Sequence, residues 1–196
     1  MNLLALGLSD ACHHMDALSV REAQLSELRR VGAPEHNMPV VQGNLAVTYH
    51  LLKRFEEALR LRRDVYSGHL KLCGEENRLT LIAANNYALS LLAMQQFEEA
   101  KSLMRKVMPM ARRARGEGDS LTLTIRWTYA KTFYLDPGAT LDDLREAVTT
   151  LEEIEPIARR VLGGSHPDAV AIHDFLRRTR AALRSRETLS SSSEAS

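Results

Sequence analysis

The strongest constraint on this chain is that it repeats itself at a step of 42 residues. Asn44 returns as Asn86, Ala46 as Ala88, the run Phe55-Glu56-Glu57-Ala58 as Phe97-Glu98-Glu99-Ala100, and Leu79-Thr80-Leu81 as Leu121-Thr122-Leu123. Leu61, Val65 and Gly74 return as Leu103, Val107 and Gly116, and 14 of 42 aligned positions are identical. Ordinary composition would give roughly three, so the chain must fold as an array of like units. A third copy slips to a step of 47, placing Ala147, Ile154, Ala158, Arg159-Arg160 and Gly163 on Ala100, Val107, Ala111, Arg112-Arg113 and Gly116. The five extra residues, Asp136-Pro137-Gly138-Ala139-Thr140, read as a turn. Upstream, Val31-Gly32 stands 42 residues before Cys73-Gly74, but strict alignment puts Asp16 on Ala58, and only a slip of one residue restores a small residue, Ala17. This degraded first copy suggests that Met1 begins inside a longer array or a shortened gene model.

Each unit reads as two antiparallel helices and no strand. Helix A shows Ile82, Tyr87, Ala88 and Leu91 at helical spacing, and helix B shows Phe97, Ala100, Leu103 and Val107. Asn77 and Asp119 are N-cap residues by type and place, while Gly74, Gly116 and Gly163 sit where a helix C-terminus favours a left-handed residue. The acid pairs Glu56-Glu57, Glu98-Glu99 and Asp142-Asp143 open helix B, where the helix dipole favours negative charge without any catalytic role. Pro109 and Pro156 share one repeat position late in helix B, with Ser67-Gly68 at the matching point, which predicts a common bend there. A hairpin with two apolar faces must stack on its neighbours, so the fold class is an all-α, right-handed superhelical solenoid of antiparallel helix pairs. Ile172, Phe175, Leu176, Thr179 and Leu183 then form the inner stripe of a C-terminal capping helix. Arg177, Arg178, Arg180, Arg184 and Arg186 face away from it, as a solubilising outer face or, on a rival reading, a phosphate- or acid-binding strip. The expected organisation is a single domain over 1–187, with repeats at about 2–43, 44–85, 86–127 and 128–165 and a cap at 166–187. A disordered Ser-rich tail is expected at 188–196.

Charge and motifs narrow the function. Twenty-six basic against 25 acidic side chains leave a net charge of +1, so a basic nucleic-acid binder is excluded as the leading class. Two Cys, at 12 and 73, argue for a reducing compartment or indifference to redox state rather than a disulfide framework. The apolar start from Met1 to Leu8 lacks a basic flank and is too short for a signal or membrane span, so a cytoplasmic protein with no membrane partner is expected. No phosphate-binding Gly-rich loop, His-Glu-x-x-His, Cys-x-x-Cys or Gly-x-Ser-x-Gly occurs, and neither an enzyme nor a cofactor is expected. Asp10, Cys12, His13, His14 and Asp16 form the one metal-like grouping, but adjacent His side chains on a helix diverge by about 100°, which suits no tetrahedral site.

Asn-x-Ala near the start of helix A (Asn44 to Ala46, Asn86 to Ala88), Phe-Glu-Glu-Ala opening helix B, and the junction Val161-Leu162-Gly163-Gly164-Ser165-His166-Pro167-Asp168 resemble tetratricopeptide repeats of the long, 42-residue kinesin light chain type. The resemblance covers about residues 17 to 185. It implies a non-catalytic protein–protein interaction scaffold that holds an extended peptide on the concave helix A face, with Asn44, Asn85 and Asn86 contacting its backbone. Projecting helix A adds Val47, His50 and Leu51, then Leu89 and Leu92, then Trp127, Lys131 and Tyr134 to that apolar groove, unless the same residues pack against one another. Val47, Leu89 and Lys131 stand where a carboxylate-clamp array has its Asn, which argues against chaperone-tail binding. The alternative function is a regulatory or sensor segment of a larger multidomain enzyme or ATPase. Self-association through the incomplete N-terminal repeat is a further expectation.

Overall fold

The computed structural model describes residues 14–32 and 38–194, with side chains as far as Leu189. They form eight helices and no strand: α1 (His14–Arg30), α2 (Met38–Leu51), α3 (Phe55–Cys73), α4 (Arg78–Ala93), α5 (Phe97–Arg115), α6 (Ser120–Tyr134), α7 (Leu141–Leu162) and α8 (Pro167–Glu194). The chain divides into two compact units, residues 1–94 and 95–196, where the sequence reads as one continuous array. In the first, α1 packs on α2, α2 on α3 and α3 on α4; in the second, α5 packs on α6, α6 on α7 and α7 on α8.

The helix ends follow from local chemistry. Asn77 and Asp119 each accept the backbone N–H two residues on, at 2.9 Å, satisfying one of the orphan donors of a first helical turn. Thr140 and Asp143 close a reciprocal capping box at the start of α7, so the five-residue insertion ends in a helix start signal of its own. Gly74, Gly116 and Gly163 all have positive φ, between 81° and 98°. The turn between the two helices of a repeat also goes left-handed, at Lys53 and Gln95, 42 residues apart and neither of them glycine. Pro109 and Pro156 lie inside α5 and α7 without interrupting either helix, and both are exposed, so the backbone bond each omits lies on a solvent-facing side.

Packing repeats with the sequence. Ala17, Ala58, Ala100 and Ala147 are buried at one position of α1, α3, α5 and α7, where a small side chain lets neighbouring helices approach closely. Ala17 reaches this position through the one-residue slip, so α1 is the B-type helix of the first copy. In the A-type helices, Val41, Ala83, Ile125 and Ile172 are buried, as are Thr48, Ser90, Thr132 and Thr179. Two further positions divide the cap from the rest. Ala46, Ala88 and Ala130 are buried where α8 has Arg177, and Tyr49, Leu91 and Phe133 are buried where α8 has Arg180, both exposed. The cap thus carries exposed arginines at two positions that the earlier A-type helices bury. The helix runs on to Glu194, through most of the Ser-rich stretch expected to be disordered, with Thr188 bonded to the carbonyl oxygens of Arg184 and Ser185.

Candidate functional site

The exposed parts of the A-type helices are the candidate surface, and each unit has its own. On α2, Val47 and Leu51 lie one helical turn apart and are each 47% exposed. The matching pairs are Leu89, half-buried, with exposed Ala93 on α4, and Lys131, half-buried, with exposed Leu135 on α6. Asn86 is exposed, Asn44 is half-buried, and Asn85 and Leu92 are buried. The side-chain oxygen of Asn85 has no hydrogen-bond partner among the described residues.

Beneath this surface in the first unit lies a device that sequence reasoning missed. Arg62 of α3 donates to the Asn86 carbonyl at 3.1 Å and the Ser90 hydroxyl at 2.9 Å. Arg21 of α1 does the same to the Asn44 carbonyl, at 3.2 Å, and the Thr48 hydroxyl. The 41-residue step that brings Ala17 onto Ala58 also brings Arg21 onto Arg62, and this was the signal available. Burial pushes the Arg62 guanidinium below its ordinary range. His50 packs edge-on against Phe55 at 5.2 Å, and its Nδ1 lacks a partner. Burial first and the Arg62 charge second hold its pKa below the usual imidazole value. The copies that follow place Met104 and Leu151, both fully buried, at the Arg62 position. Arg62→Met is therefore expected to be neutral or stabilising by about 1 kcal/mol in urea denaturation, since exchanging a desolvated cation for a fitting apolar chain removes its desolvation cost. The His50 pKa should rise toward its ordinary value in an NMR titration. A stability loss above about 2 kcal/mol would contradict this account.

In the second unit, Trp127, Lys131 and Tyr134 are all half-buried. The Lys131 ammonium sits 3.6 Å above the Trp127 ring, and burial lowers its pKa while the Asp168 charge partly restores it. Phe175 of α8 meets Tyr134 edge-on at 4.9 Å and Trp127 at 6.4 Å. The aromatic pair thus rests on the capping helix, and only part of each ring is open to a ligand.

Most of the remaining charged candidates are occupied structurally. Glu57 pairs with Arg54, Glu98 with Lys101, and Asp142 with Arg145. On α8, Arg180 pairs with Glu152 at 2.7 Å, Arg177 lies 3.6 Å from Asp174, and Arg186 donates to the carbonyls of Pro137 and Ala139. This bonding answers to a cap rather than an open anion strip. No group able to hold a metal occurs among the described residues; Asp10, Cys12 and His13 lie outside them. No described helix is long and apolar enough to cross a membrane.

Residues 41–78 and 80–120 match the tetratricopeptide repeat model. Those two stretches read as tetratricopeptide repeats. Two crystal structures of nearly identical TPR-like repeats from a Podosopora anserina kinesin light chain superpose with TM-scores of 0.80 and 0.78, both at 21% identity. They cover 99% and 95% of this chain and 90% and 87% of their own. BtubC (BKLC) from P. vanneervenii aligns with a TM-score of 0.62 at 16% identity, over 92% of this chain and 78% of that one. These likenesses show the fold, a TPR-like array of antiparallel helix pairs. No curated protein matches the sequence.

Proposed function

We propose that this tetratricopeptide chain is a non-catalytic scaffold that holds an extended peptide segment of a partner protein on the open face of its A-type helices. The observation that carries the reading is the recurrence of the open positions. Val47, Leu89 and Lys131 share one register position, Leu51, Ala93 and Leu135 share another, and none of the six is fully buried. Within the first unit, the apolar side chains of Val47, Leu51 and Leu89 left at repeated places on α2 and α4 are positioned to read alternate side chains of an extended segment. Asn86, exposed beside them in sequence on α4, offers donors and an acceptor for a peptide backbone. The partner is thus a protein or peptide, with neither nucleic acid nor membrane in the reading. Self-association at the N-terminal copy is a separate expectation, checked by whether mass in light scattering rises with concentration.

The test is a peptide-library selection on the full chain beside a Val47→Lys, Leu51→Lys, Asn86→Asp variant. All three substitutions are at exposed positions, so the circular dichroism spectrum should not change. A motif enriched by the parent and at least roughly tenfold weaker for the variant supports the face. A motif that binds both equally places the site elsewhere, and failure of both to enrich any peptide removes the peptide reading in favour of a regulatory segment of a larger enzyme.

A further inference from the structure

The first unit contains a cleft on a different side from the surface just described. It lies between α1 and α3 over α2, with a volume of about 460 Å3, inside the roughly 300–1,000 Å3 range of small-molecule sites. Its floor is Leu25, Leu45 and Leu61 with the ring of Tyr49. Leu45 and Tyr49 each stand two residues from Val47, on the opposite side of α2, so nothing bound here would touch the open A face.

The charges around the cleft are unequally employed. The Tyr49 hydroxyl donates to Glu22 at 2.6 Å, and burial followed by that carboxylate pushes the phenol up to about 12. Glu57 is engaged by Arg54 at 2.6 Å, and the same Arg54 guanidinium lies 4.5 Å from the Tyr49 ring centre. Both carboxylates are thus already committed. Arg29 of α1 and Arg60 of α3 stand exposed on the two sides, neither with a carboxylate in ion-pair contact among the described residues; Arg60 reaches Glu57 only through its field. Of the four charged side chains that line the cleft, the two carboxylates are thus engaged while Arg29 and Arg60 stand ready above an apolar, aromatic floor.

We infer that this cleft is a binding site for a small amphipathic anion, an apolar body that lies on Tyr49, Leu25, Leu45 and Leu61 and carries a carboxylate, sulfonate or phosphate group held between Arg29 and Arg60. The apolar body supplies the affinity and the two arginines select charge and orientation, since guanidinium matches planar or tetrahedral oxyanions bidentately. The site is independent of peptide binding on the A face.

The full chain is titrated with 1-naphthoate and, separately, with the neutral 1-naphthylmethanol, following backbone amides by NMR. Naphthoate is expected to shift the amides of residues 22–29, 45–49 and 57–61, with the alcohol binding roughly tenfold more weakly. Arg29→Gln with Arg60→Gln should bring naphthoate down to the level of the alcohol. Ser26→Phe, which fills the cleft from its exposed rim, should abolish both. Both variants change exposed side chains, and the amide spectrum itself reports whether they fold. Absence of shifts at these residues, equal affinity for acid and alcohol, or full binding by the double variant each overturns the assignment.

Discussion

Replacing Asp136 with Ala is expected to destabilise the second unit by about 3 kcal/mol, because it strands a buried cation. The Lys101 ammonium is almost entirely enclosed and is held by Asp136 at 2.7 Å and Glu98 at 2.8 Å. Glu98 is 82% exposed and well solvated, so Asp136, at 13%, is the partner that compensates the charge. Burial alone would lower the Lys101 pKa, but the hydrogen bonds that the ammonium donates to Asp136 and Glu98 outweigh it and raise the value. Burial alone would likewise raise that of Asp136, yet Lys101 and the Gly138 amide bring it below the ordinary carboxylate range. The sign of the pH effect follows. A carboxyl whose folded pKa is depressed contributes its stability above the unfolded value near 4, and that contribution drains away as pH falls through the folded value. Urea denaturation, with the single Trp, Trp127, reporting on this unit, should show a stability decline below about pH 4 that is shallower in Asp136→Asn. A loss under about 1 kcal/mol in Asp136→Ala at pH 7 would mean that Glu98 alone compensates Lys101.

Legibility in the sequence tracked the range of the interaction. Asn77, Asp119 and the three C-terminal glycines act within a few residues, and their types state their roles. Lys53 and Gln95 adopt the same left-handed conformation with side chains that announce nothing, because the backbone there is held by the helix ends on either side. Arg21, Arg62 and Lys101 read as surface charges until the neighbouring helix is in place, since their partners lie 23 to 35 residues away. The candidate site was the least legible part. Projecting helix A at about 100° per residue assumes one buried stripe, but α4 buries Ala83, Ala84, Asn85, Tyr87, Ala88, Ser90, Leu91 and Leu92, covering most of its circumference. Only a narrow edge stays open, so Asn85 and Leu92 fall inside while Asn86 and Ala93 fall outside.

The repeat register also predicts how one position should answer to three different residues. Phe133 is fully buried, with the Tyr129 ring edge-on at 4.9 Å and the charges of Lys101 and Arg105 lying 5.6 and 5.7 Å from its centre. Phe133→Ala should cost about 3–5 kcal/mol, through lost burial and the cavity left behind. Phe133→Leu should cost no more than about 1.5 kcal/mol, because the preceding copy buries Leu91 at the same place, and a branched aliphatic chain there suits the helix pair. Phe133→Arg copies Arg180 of the cap, where the position is exposed and the guanidinium is paired with Glu152. Fully buried beside α5, the same guanidinium would join two cations already at that ring, with no carboxylate released to meet it, and the second unit should fail to fold cooperatively. Trp127 fluorescence in urea ranks the three. If Leu proves as costly as Ala, the copies do not share a packing environment at this position; if Arg is tolerated, the position is not sealed from water as its burial implies.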